Sequence, residues 1–145
     1  MSESGLENQQ LAGIHSVARI GLAVVFAYHG LVPKLLTRHA DEIAMLKDSG
    51  VSLEWLGVVL IAFGLTELLF AVSLLIFWHN RWPLLLCLGF LCIGTLAVAV
   101  KSPRYVGAAF NPITLNLAVG CLALVDLLVL KGARATDPTT REGCG

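Results

Sequence analysis

The apolar residues of this chain do not alternate with polar ones at short range. They fall into four long runs separated by short polar links. A helix that crosses a bilayer needs about 20 mostly apolar residues. The four runs meet that length at about residues 11–32, 54–78, 82–100 and 112–130. Arg19 interrupts the first run, Glu67 lies within the second, the third carries no charge, and the fourth contains Asn116 and Asp126. The pattern predicts an all-α integral membrane protein, a four-transmembrane-helix bundle.

The punctuation between the runs agrees. Trp55, Trp78 and Trp82 fall at expected helix ends, the depth at which amphipathic rings settle among lipid headgroups. The link His79-Asn80-Arg81 is short enough to predict a tight antiparallel hairpin of helices two and three. Asn111 followed by Pro112 fits an N-cap with proline at the first helical position of the fourth span. Pro33 is expected to close the first helix, with Lys34 snorkelling to the headgroups. Between helices one and two, Ile43, Ala44, Met45 and Leu46 are flanked by Asp41, Glu42, Lys47 and Asp48. That spacing predicts a short amphipathic helix stopping near Gly50, either on the membrane surface or capping the bundle. Residues 1–10 and 132–145 are expected to be disordered tails.

Composition sharpens the picture. Of 145 residues, 57% are hydrophobic and only 14% charged. Soluble domains average roughly 45–50% apolar and about 25% charged. The net charge is zero, which argues against a nucleic-acid partner. Cys87, Cys92, Cys121 and Cys144 show no C-x-x-C spacing, and the first three are expected to be small buried hydrophobes. The opening MSESGLENQQ has no positive charge and does not read as a secretory signal. Orientation is not separable by charge: Arg81, Lys131, Arg134 and Arg141 face Lys34, Arg38, Lys47, Lys101 and Arg104 across the bilayer.

Charged side chains inside a span are costly and usually face the bundle interior with a partner. On a helical projection Arg19 shares a face with Ala12, His15, Ala23, Phe26 and Gly30, while Leu22, Val24 and Val25 lie opposite, towards lipid. Depth along antiparallel helices makes Glu67 the first expected partner of Arg19, with Asp126 the rival. Such a pair serves either to fix helix register or, through the deep carboxylate, to take up protons or hold a ligand such as a quinone head group. Asn116 lies on the face of Gly120 and Ala123, as an interhelical hydrogen-bonding residue would. The four histidines are not spaced for a bis-histidine haem, and no catalytic, phosphate-binding or metal motif is present.

Several short segments together resemble the DoxX-like family. They are Arg19-Ile20-Gly21, the stretch Tyr28-His29-Gly30-Leu31-Val32-Pro33-Lys34-Leu35, Gly64-Leu65-Thr66-Glu67-Leu68-Leu69, and Phe110-Asn111-Pro112-Ile113-Thr114-Leu115-Asn116-Leu117. The resemblance spans about Val17 to Leu130 and implies a four-helix membrane bundle. Tyr28, Gly30, Pro33, Lys34, Asn111 and Pro112 are the residues it singles out. Gly30 is expected to permit close packing beside Tyr28. Relatives include a subunit of a thiosulfate:quinone oxidoreductase and a membrane partner in thiol and oxidative-stress chemistry. The resemblance therefore implies an accessory or anchoring subunit in a membrane redox process, in a bacterial inner membrane. Fused relatives imply that both termini are cytoplasmic. The alternative is a small proton-coupled transporter using Glu67. The partners expected are the lipid bilayer, a soluble oxidoreductase and a second copy of the chain. No cofactor is expected beyond a quinone.

Overall fold

The computed structural model describes residues 3–108 and 111–135, with side chains over residues 5–108 and 111–132. Of the tail expected to be disordered from residue 132 on, residues 132–135 instead continue the last helix, and residues 136–145, with Cys144, lie outside the described residues. The elements are α1 (Glu3–His29), continued by a π-helical turn (Gly30–Leu36), α2 (Ala40–Asp48), α3 (Leu56–Ile76), α4 (Trp82–Lys101), a 3-10 turn (Pro103–Tyr105) and α5 (Pro112–Ala135). Four helices are long and apolar enough to span a membrane: Gly5–Leu36, Leu56–Ile76, Trp82–Lys101 and Pro112–Gly132. The described residues contain no strand.

The first span departs from expectation at both ends. It begins at Glu3, so residues 3–10 continue the helix instead of forming a loose tail. At 1.5 Å per residue the 32-residue rod is about 48 Å long, against a hydrocarbon core of about 30 Å, so its ends project. Nor does Pro33 end it. The chain widens into a π-helical turn around the proline and stops only at Leu36. Proline has no N–H to give the carbonyl four residues earlier, and that carbonyl, on His29, lies 3.5 Å from the Lys34 ammonium.

Helix α1 is central. It packs along both α3 and α5, and α5 packs along α4, whereas α3 and α4 pack little against each other despite their short link. Sandwiching α1 widens its buried arc beyond a single face. Leu22, expected to meet lipid, is fully buried with Ala23, Leu74, Leu84, Cys87, Val119 and Ala123. Val24 is exposed as expected. Cys87 is buried, but Cys92 on α4 and Cys121 on α5 lie on the outer surface, since each helix buries only a narrow strip.

The short amphipathic helix is present as α2 and caps one end of the bundle. His39 Nδ1 accepts from the Asp41 N–H at its start, and Gly50, with φ +91°, follows its end. Asp48 accepts from Ser102 Oγ at 2.9 Å and from Arg104 Nη2 at 2.8 Å, and Tyr105 OH donates to Asp41 at 3.2 Å. These bonds tie α2 to the end of α4. Desolvation, and after it the Asp41 carboxylate, pushes the Tyr105 phenol up from its ordinary value, so it stays a donor. At the start of α5, Asn111 Oδ1 accepts from the Thr114 N–H at 2.8 Å, the cap expected from Asn111-Pro112.

The register of α1 against α3 is set by two glycines. A Cβ on Gly30 would lie 2.6 Å from the Gly64 carbonyl oxygen, and one on Gly64 would lie 2.9 Å from the Gly30 carbonyl oxygen. Only bare backbones approach this closely in lipid. Tyr28, by contrast, is largely exposed and stands edge-on to His29, so Gly30 serves α3 and not Tyr28. Gly30→Val or Gly64→Val should each cost about 1–3 kcal/mol by overpacking. Thermal unfolding in mild detergent checks this. Gly89→Ala, where an added Cβ meets nothing within 4 Å, should leave the transition near its wild-type position.

Candidate functional site

The intramembrane charges form two clusters, one at each end of the bundle, and the partners differ from those expected first. Arg19 pairs with Asp126, not with Glu67. Its Nε lies 2.7 Å from Asp126 Oδ2, an ion contact off the hydrogen-bonding direction, and both side chains are wholly buried. Register explains the exchange. With Gly30 against Gly64, Arg19 lies level with Leu75, about 12 Å along the axis from Glu67. The sequence placed Arg19 too deep because it set the start of the first helix level with the end of the second span, whereas α1 runs well past the end of α3.

The Arg19 cluster binds the α3–α4 link to the bundle. Arg19 Nη2 donates to the Asn80 carbonyl at 2.6 Å, and Arg81 Nη2 donates to the Leu130 carbonyl at 3.0 Å. The other oxygen of Asp126 faces His15 Nδ1 at 2.5 Å. The His15 ring stacks on His79 at 5.8 Å and meets Trp78 edge-on at 5.2 Å. His15 was legible only as a member of the Arg19 face; its pairing with Asp126 needed the fold.

At the opposite end Lys34 does not snorkel. It is buried, with Nζ 3.0 Å from Glu67 Oε1 and 3.3 Å from Glu42 Oε1. Two carboxylates hold the ammonium more strongly than a distant headgroup would. Glu67 Oε2 is buried with no hydrogen-bond partner among the described residues. Glu42 was read in the sequence only as part of the amphipathic helix; its reach into the bundle depends on how α2 folds back over Lys34.

These groups border a cavity of about 240 Å³ that all four spans line. Lys34, Glu42, Glu67, His29 and Asn116 give it polar walls; Phe26, Phe90, Leu91 and Val119 give it apolar ones. Asn116 Nδ2 donates to Thr95 Oγ1 at 3.0 Å, across the α4–α5 interface as its helix face predicts. On the side away from α2, Phe26 stacks edge-on against Phe70 at 4.7 Å, and the buried core follows. The cavity and the Arg19 cluster are therefore separated by an apolar layer. Chemically the cavity offers an ammonium, a carboxylate and an amide beside aromatic walls. Its volume suits a single small ring with polar substituents. No group of three metal-ligating side chains stands together among the described residues. Arg19 and Asp126 do not line it; Tyr28 points outward.

Removing one member of the ion triad exposes the others to burial without a counter-charge. Lys34→Met should cost about 1–3 kcal/mol, and Lys34→Met with Glu67→Met should cost less than the single change. Thermal unfolding of the purified variants checks the order.

A family model described as the DoxX-like family matches residues 23–124. No curated protein and no solved structure matches the chain. The matched stretch holds Lys34, Glu42, Glu67 and Asn116, and ends short of Arg19 and Asp126 on either side. With the match covering well over half of the residues and four helices apolar enough to span a membrane, this chain is a multi-pass membrane protein belonging to the DoxX-like family.

Proposed function

We propose that the protein is the membrane component of a redox process and binds a small hydrogen-bonding ring, of the size of a quinone head group, in the cavity beside Lys34 and Glu67. The observation that carries this reading is the cavity's inventory. A ring bearing carbonyl groups needs a donor, which Lys34 supplies. Its reduced, hydroxyl-bearing form needs an acceptor, which the Glu67 carboxylate supplies. Aromatic Phe26 and Phe90 flank the space in which a ring would lie. The chemistry of electron transfer belongs to the ring and to a soluble oxidoreductase partner. The residues of this chain hold the ring and place a proton donor and an acceptor against it. Both termini lie on the cytoplasmic side in this reading.

A second reading, a small proton-coupled transporter, is favoured by one feature. Glu67 borders a cavity closed on one side by the Phe26–Phe70 layer, as one-sided access requires.

Decylubiquinone added to the detergent-purified protein should bind saturably, measured by quenching of intrinsic tryptophan fluorescence. Glu67→Gln and Lys34→Met should each weaken it by about tenfold, the loss of one charge-assisted hydrogen bond. Unchanged quinone binding in both variants, alongside pH-dependent uptake of a solute in vesicles, would favour the transporter instead.

A further inference from the structure

The cavity does not end at the bundle axis. It continues in two directions, and the two differ in chemistry. Towards α2 it shares His29, Pro112 and Leu115 with a mixed vestibule that Asp41, Tyr105, Asn111 and Thr114 line together with Met45. Towards the bilayer it shares Leu91 and Asn116 with a groove of about 540 Å³ between α4 and α5. That groove is more than twice the volume of the cavity and almost wholly apolar, with Leu88, Cys92, Leu96, Leu117 and Leu124 along it. Leu96, Leu117 and Leu124 are exposed on helices that span the membrane, so the groove opens onto hydrocarbon.

The partition between groove and cavity is one side chain thick. It consists of Leu91 and of Asn116, whose amide bonds to Thr95 Oγ1 at 3.0 Å. Gly94 stands behind that amide on the cavity side, where an added Cβ would be 3.9 Å from Asn116 Nδ2. Gly120 forms part of the groove floor, with only Leu91 and Leu88 side-chain atoms near an added Cβ, at 3.8 and 3.9 Å. A single neutral hydrogen bond and a leucine rotamer therefore separate a polar pocket from lipid.

We infer that the ligand of the cavity is an amphiphile that enters and lies sideways. Its hydrogen-bonding ring sits beside Lys34 and Glu67, and its apolar chain passes between Leu91 and Asn116 to lie in the α4–α5 groove. This rests on the ring-binding reading above and adds the route and the class of ligand. The vestibule opens towards water at the α2 end, and Asp41, Tyr105 and Asn111 interrupt its apolar surface of Met45, Pro112 and Leu115, whereas the groove is apolar along most of its length and meets hydrocarbon. A chain leaving into lipid gains little affinity from burial, because it moves between two apolar surroundings. Its position is therefore the first quantity to measure, and binding strength becomes informative only where the groove is sterically blocked.

The probe is a fully substituted benzoquinone carrying a decyl chain with a terminal diazirine. It is photolysed with the whole protein in phosphatidylcholine vesicles, and the adducts are mapped by mass spectrometry. The inference predicts adducts on the segments 92–96 and 120–124 that excess decylubiquinone removes. Adducts at Met45, Tyr105 or Thr114, removed by the same competitor, overturn it, since the chain would then leave through the vestibule. If decylubiquinone removes no adduct anywhere, the ring-binding reading itself falls, and this inference with it. A second arm uses Gly120→Leu, which fills the groove floor. Binding of decylubiquinone should fall at least tenfold while that of tailless duroquinone stays within about twofold. Equal affinities for the tailed probe in variant and wild type overturn the inference, and so does an equal loss of both probes.

Discussion

A guanidinium and a carboxylate without any exposed surface, set in a helix pair that hydrocarbon surrounds, depend on each other's charge to offset the loss of water. Arg19 and Asp126 are in that position. Either charge alone would be too costly to keep in the span. The pair therefore fixes how α5 lies against α1, and through the Asn80 carbonyl it also fixes where the α3–α4 link docks. The Gly30–Gly64 approach then sets α3 against the other flank of α1. Two registers against one central helix determine the bundle, and the α4 span follows by packing on α5.

The cavity is a consequence of those registers. With α1 held between α3 and α5, and α3 and α4 in little contact, space is left on the axis near the α2 end. Gly30 brings Lys34 over Glu67, and the π-helical turn around Pro33 rotates the lysine inward instead of ending the helix. Helix α2, tied to α4 through Asp48 and Asp41, then lays Glu42 onto the same ammonium. A polar pocket inside a membrane bundle is thereby assembled from residues that each have a structural reason to be there. The Phe26–Phe70 layer isolates it from the Arg19 cluster, so the two charge centres divide between holding the fold and holding a ligand.

Much of this was legible in the chain. The four spans, the amphipathic α2, the Asn111 cap and the interhelical Asn116 follow from apolar run length and helical phase. The pairing of charges did not follow, because it depends on an offset between helices. Setting the start of the first helix level with the end of α3, when α1 runs well past it, put Arg19 at the wrong depth and made Glu67 look reachable. Lys34 was misread for a related reason. Pro33 normally stops a helix, and a lysine beyond a stop snorkels; a π-helical turn, which no local pattern signals, turned it inward. Leu22 was assigned to lipid because a helical projection assumes one buried face, and a central helix has two.

The central claim is that Arg19 and Asp126, and not Arg19 and Glu67, form the pair on which the bundle is built. A double-mutant cycle on unfolding in mild detergent tests it most directly, with Arg19→Leu, Asp126→Leu, Glu67→Leu and the two pairwise combinations with Arg19. The account predicts a loss of about 3–5 kcal/mol for Arg19→Leu or Asp126→Leu alone, most of it recovered when both are replaced, and simple additivity for Arg19 with Glu67. Recovery with Glu67 and additivity with Asp126 would contradict it.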